Sequence, residues 1–159
     1  MEMHTQHSFE DLRVGQYVIV NGKSRAMEGF LAVEIAIEPE RDDAELQSAI
    51  EHVDLQRRRI VIFDQEVDID EASEIKDRDH HRVDLAALQP GQMVKLKGTY
   101  SASGGFAPKK IRMKETMGFN IEELRGVINR IDRNKRALEV NGITVLMNDK
   151  TSIGAEKEF

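Results

Sequence analysis

The chain of 159 residues has no cysteine and no tryptophan. Without cysteine there are no disulfides, thiolate zinc sites, iron–sulfur clusters or cysteine nucleophiles. Such a chain is also at ease on either side of a redox boundary, so cysteine usage assigns no compartment. No run of about 18 apolar residues occurs, which excludes a transmembrane helix and membrane insertion by that route. The start, Met1-Glu2-Met3-His4-Thr5-Gln6-His7-Ser8, has neither a basic segment nor an apolar stretch and does not read as a signal peptide. Gly-x-Ser-x-Gly, P-loop, Gly-x-Gly-x-x-Gly and His-Glu-x-x-His motifs are all missing. No catalytic residue and no cofactor is expected.

What is present suits one ordinary domain or two small ones, with 40% apolar and 33% charged residues. Net charge is −6 and unevenly spread. Residues 34–84 hold 7 basic and 17 acidic side chains, whereas residues 93–136 hold 11 basic and 4 acidic. Such asymmetry points to an anionic partner on one side, to association of opposite faces, or to two differently solvated surfaces.

The sequence repeats itself. Leu12-Arg13-Val14-Gly15-Gln16-Tyr17-Val18-Ile19-Val20-Asn21-Gly22 returns as Leu88-Gln89-Pro90-Gly91-Gln92-Met93-Val94-Lys95-Leu96-Lys97-Gly98, 76 residues later. Leu46-Gln47-Ser48-Ala49-Ile50-Glu51-His52-Val53-Asp54 returns as Leu124-Arg125-Gly126-Val127-Ile128-Asn129-Arg130-Ile131-Asp132, 78 residues later. Each copy reads as short strands. Tyr17–Gly22 and Met93–Thr99 alternate apolar and polar residues, a glycine-bearing turn follows, and Phe30–Glu38 and Phe106–Lys114 return. Ala49–Val53 and Val127–Ile131, Arg59–Phe63 and Ala137–Val140, then Glu66–Ile69 and Ile143–Met147 complete the set. Helix should be scarce, with Asp42–Glu51 and Asp84–Leu88 as the best candidates.

Short strands about ten residues apart predict an all-β protein of two tandem five-stranded barrels of the oligonucleotide/oligosaccharide-binding (OB) type, with little helix. The pattern Leu-x-x-Gly-x-x-Val-x-Val-x-Gly, a hairpin, then Gly-x-Ile-x-x-Ile-Asp resembles a bacterial family over roughly residues 9–153. That family is a domain of unknown function, a small OB-like barrel, often in tandem and often in exported proteins. The resemblance implies a fold and brings no catalytic residues. Residues 12–75 and 88–153 form one division into units. In the family's usual phase, residues 46–114 form a central barrel, while 12–38 and 124–153 are halves that pair with each other or with another chain.

The sharpest candidate site is a basic hairpin. Lys95 and Lys97 project opposite Val94 and Leu96. Lys110, Arg112 and Lys114 project opposite Ile111 and Met113, with Lys109 beside them, and no acid lies between Met93 and Lys114. A stripe of cations on paired strands suits a phosphate backbone or another polyanion, although exposed aromatics for base stacking are scarce. Arg130, Arg133, Lys135 and Arg136 extend the patch if their turn lies nearby. His80 and His81, among Asp77 and Asp79, are weak metal candidates, since adjacent loop side chains seldom converge on one ion. His4 and His7 join them only if the tail is ordered. Asp64, Glu66, Asp68, Asp70 and Glu71 make an acidic strand and turn that reads as a solvated outward face. The leading expectation is a non-catalytic binding or scaffolding module whose ligand is a protein or a second copy. The alternative is single-stranded nucleic acid or another polyanion on the basic hairpin.

Overall fold

A computed structural model describes residues 8–25, 29–115 and 122–155. The thirteen strands are β1 (Tyr17–Arg25), β2 (Gly29–Glu38), β3 (Ala44–Ala49), β4 (His52–Asp54), β5 (Arg59–Ile62), β6 (Gln65–Asp68), β7 (Glu74–Lys76), β8 (Met93–Ser101), β9 (Gly105–Met113), β10 (Glu122–Asp132), β11 (Ala137–Val140), β12 (Ile143–Leu146) and β13 (Ser152–Ala155). Among the described residues, helix is confined to two 3-10 turns, Phe9–Asp11 and Leu85–Ala87.

Five of these strands close into a barrel. The ring runs β1, β2, β12, β11, β10 and back to β1. Every junction in it is antiparallel except β12 against β2. The ring therefore joins strands from the two ends of the chain. Alternation puts Val18 and Val20 of β1 and Leu124 and Ile128 of β10 inside, fully buried.

The remaining strands are additions to this barrel. β13 runs parallel to β2. β3 pairs with the free side of β10 and carries β8, β9 and β7 in turn. β4, β5 and β6 form a separate antiparallel sheet. The buried apolar residues of all these strands make one continuous core.

The candidate helix at Asp42–Glu51 is instead a strand for most of its length. Ala44, Glu45, Leu46 and Gln47 favour helix in isolation. Leu46, however, lies between Leu96 and Leu124 on the neighbouring strands, and all three are buried. Pairing on both sides outweighs local preference. The expected strand Ala49–Val53 is broken. β3 stops at Ala49 and β4 starts at His52, because Ile50 and Glu51 turn aside. The Ile50 N–H donates to Gln92 and the Glu51 N–H to Val61.

Two hairpins share an irregularity. Between Asn21 and Gly22 the β1–β2 register shifts by one residue, and the β8–β9 register shifts likewise between Lys97 and Gly98. Glycine is required at both bulges. A Cβ on Gly22 would sit 2.1 Å from the Leu31 carbonyl oxygen, and one on Gly98 would sit 2.0 Å from that of Ala107. The extra residues, Val33 and Lys109, are thrown outward and exposed.

Candidate anion-binding face and groove

The basic hairpin forms as expected, and the sheet adds a third strand to it. Lys95 stands opposite Arg112, which stands opposite Lys76. Lys97 stands opposite Lys110, which stands opposite Glu74. Cations thus neighbour one another across β8, β9 and β7. Lys114 follows directly, and its ammonium is held below its ordinary value by burial and by the charges of Arg112 and Lys95. Lys109 stands apart from this array as the extra residue of the bulge.

The inner edge of the array is partly compensated. Glu45 on β3 is buried, with one carboxylate 3.2 Å from the Lys95 Nζ, 4.0 Å from Lys97 and 3.9 Å from the Arg125 Nε. Lys97 also lies 3.9 Å from Asp43. Arg125 is shared with Glu123 at 2.7 Å. Asp43 and Glu45 also bear on Tyr17, whose hydroxyl is 3.4 Å from Asp43. Burial first, then these carboxylates, push the Tyr17 phenol up to about 12. Toward the outer edge, Arg112 Nη2 lies 2.8 Å from His80 Nε2. Because a guanidinium only donates, that nitrogen accepts.

The two adjacent histidines therefore part company. His80 orients Arg112, while His81 turns to Asp77, with 3.6 Å between Nδ1 and the carboxylate. Asp77, Asp79 and His81 bring ligand-capable atoms within 4.8 Å of one another on an exposed turn. The Asp77 carboxylate already accepts the backbone N–H groups of Asp79 and His81, both at 2.9 Å. The His81 N–H chiefly, then that of Asp79, lower its pKa. His4 and His7 lie outside the described residues.

Two of the other turn cations are engaged elsewhere. Arg133 donates to the carbonyls of Phe9 and Leu12 and stacks over the Phe9 ring, 5.5 Å from its centroid. Arg136 meets Asp149 at 2.9 Å. Glu66 and Asp68 are not simply solvated, since both pair with Arg59.

A second feature escaped sequence reasoning. In the closed barrel β12 runs alongside β2, with Val145 opposite Phe30 and Leu146 opposite Leu31. β6 lies beside β9 in the same way, yet no ladder joins these two strands. A groove of about 860 Å³ lies there, lined by Glu66, Asp68, the 69–73 loop, residues 104–109, Arg57 and Arg58. Phe106, Ala107, Pro108, Ile69 and Ala72 give it apolar character, and Lys109 is among its cations. Ser73 closes part of it by donating to the Pro108 carbonyl at 2.8 Å. A missing ladder leaves no pattern in a sequence. The one available signal was that aligning the two halves of the sequence sets Val67 with Val145 and Phe106 with Phe30.

Among known proteins, no curated protein and no solved structure matches the chain. The model of one family, described as Domain of unknown function (DUF5666), matches the central residues 49–112.

Proposed function

We propose that the protein is a non-catalytic binding module of two OB-like barrels, and that its ligand is a protein segment lying extended along the β6–β9 groove. One barrel is assigned to residues 46–114 and the other to 12–38 together with 124–153. The pairing of β1 and β2 with β10, β12 and β13 favours this division over 12–75 and 88–153. Recurrent bonds favour a repeat. Gly15 donates to Ile128 and Gly91 to Ile50; Ile128 donates to Gln16 and Ile50 to Gln92. Thr151 Oγ1 donates to the Ala32 carbonyl as Ser73 Oγ does to that of Pro108. The parallel pairing of β12 with β2 in one assigned unit, and the placement of β6 beside β9 in the other, agree with an OB-like order.

The observation that carries the binding role is the unladdered seam. Strand edges without a ladder partner are templates for a further chain, and extended peptides bind by adding to such edges. Two of the three described histidines, His80 and His81, meet Arg112 and Asp77 rather than a hydroxyl, which favours binding over nucleophilic chemistry.

Selection from a displayed library of unstructured peptides, followed by amide hydrogen exchange, tests this reading. Selected peptides should protect amides in 65–68 and 105–109. Ala107→Trp, at an exposed lining position, should abolish their binding. Protection that maps elsewhere, or binding that survives this substitution, rejects the reading.

A further inference from the structure

We infer that the cationic face of β7, β8 and β9 binds the phosphate backbone of single-stranded nucleic acid without reading its bases. This surface is separate from the groove, and its test is independent of the groove's.

Like charges directly opposite one another on neighbouring strands are destabilising. Here Lys95, Arg112 and Lys76 oppose one another in one row, and Lys97 and Lys110 in the next, where Glu74 stands on the far side of Lys110 and 3.6 Å from the Lys76 Nζ, so that cations still outnumber acids across the face. The fold does not demand this. The β1–β2 hairpin has the same bulge, yet at the matching places Ile19 opposes Ala36 and Asn21 opposes Glu34. At these four places that hairpin carries no cation, and its own Lys23 and Arg25 lie beyond the bulge, toward the turn. The charge on β8 and β9 is an added property of one hairpin.

The geometry favours a ligand with a negative charge on every unit. The backbone positions that carry neighbouring cations are about 4.8 Å apart across strands and about 6.7 Å apart along them. Glu45 is shared among Lys95, Lys97 and Arg125, so it steadies the inner row without neutralising it. His80 fixes the Arg112 fork, whose planar donors match phosphate oxygens. Among the described residues, the array is part of a sheet face with no helix or arm to enter a duplex groove. It contains no aromatic side chain, so base stacking contributes nothing. Binding is therefore expected to be indifferent to sequence and strongly dependent on salt.

Fluorescence anisotropy of labelled single-stranded DNA and RNA of mixed sequence, titrated with the full chain at several salt concentrations, tests this. Four phosphate contacts give a slope of about −3 in log affinity against log salt. Lys110→Glu with Arg112→Glu should weaken binding at least about tenfold, by loss of two contacts and gain of two repulsions. The neutral pair Lys110→Gln with Arg112→Gln should lie between, and Lys150→Glu should bind as the parent does. Circular dichroism of each variant separates lost binding from lost fold. Polyglutamate and vesicles of anionic phospholipid serve as competitors and should displace the oligonucleotide poorly. Absence of binding at low salt, unchanged binding by the folded reversed pair, or equal displacement by polyglutamate or vesicles overturns the inference.

Discussion

Asn141 fills the space that a side chain at Gly126 would need. A Cβ on Gly126 would lie 2.3 Å from the Asn141 Oδ1, and the Asn141 amide donates to the carbonyls of Arg125 and Glu45 at 3.0 and 3.3 Å. Asn141 sits at positive φ beside Gly142, in the tight turn that joins β11 to β12. One buried amide thus ties a hairpin tip to two strands, β10 and β3. Gly126→Ala should cost about 1–3 kcal/mol by overpacking. In an Asn141→Gly background the same substitution should cost much less, because the obstructing amide is gone. Urea denaturation of the four proteins of this cycle measures the coupling, and additive losses would contradict it.

Tyr17 makes stability sensitive to alkali. Its folded-state value of about 12 lies above the ordinary value of 10.0. The contribution of the neutral phenol is complete below pH 10 and is lost as pH rises toward 12. Urea stability should fall across that window in the parent and fall less in Tyr17→Phe. Parallel curves for the two proteins would contradict the assignment.

Asp77 responds in the opposite direction. Two backbone N–H bonds lower its pKa, so its contribution is present above the ordinary carboxylate range and lost as pH falls through the depressed value. In an NMR titration the Asp77 carboxyl should change below the usual aspartate range. The amides of Asp79 and His81 should move with it. Asp77→Ala should remove this step and quicken amide exchange in residues 79–81 at neutral pH.

Glu45 links stability to the cationic face with opposite signs. Glu45→Gln leaves Lys95 and Arg125 short of a buried counter-charge, at a cost of about 2 kcal/mol given their partial exposure. It also raises the positive potential of the array. The variant should melt earlier than the parent yet bind single-stranded oligonucleotide more tightly at the same salt. A loss in both measurements would show that Glu45 acts by holding the array's shape.

Local patterns carried much of the fold. Alternation identified β1, β2, β8 and β9 to within a few residues, and Ala137–Val140 coincides with β11. Asp54 and Asp132 mark the expected turns by accepting backbone N–H groups three and two residues onward. β7 and β13 were missed because each is three or four residues long and pairs in parallel with a distant strand. The site was legible in its charges and not in their partners. Lys95 and Lys97 were visible as a stripe, but Glu45 reaches them only through the β3–β8 register, and its neighbours had suggested a helix. Lys109 looked like part of the stripe because a bulge changes which way a residue points, and only Gly98 hinted at one.

The closed ring has a further consequence for how the chain comes together during synthesis. β1 and β2 emerge early but find their barrel partners only in β10–β13, more than a hundred residues downstream for most pairs. Contacts this distant in sequence form slowly. The segment between them, β3 to β9, has most of its strand partners within itself and is expected to acquire structure while the early hairpin still waits. During that interval the hairpin's outer edges are exposed on the ribosome, and the acidic side chains Glu34 and Glu38 give one edge a defence against wrong pairing.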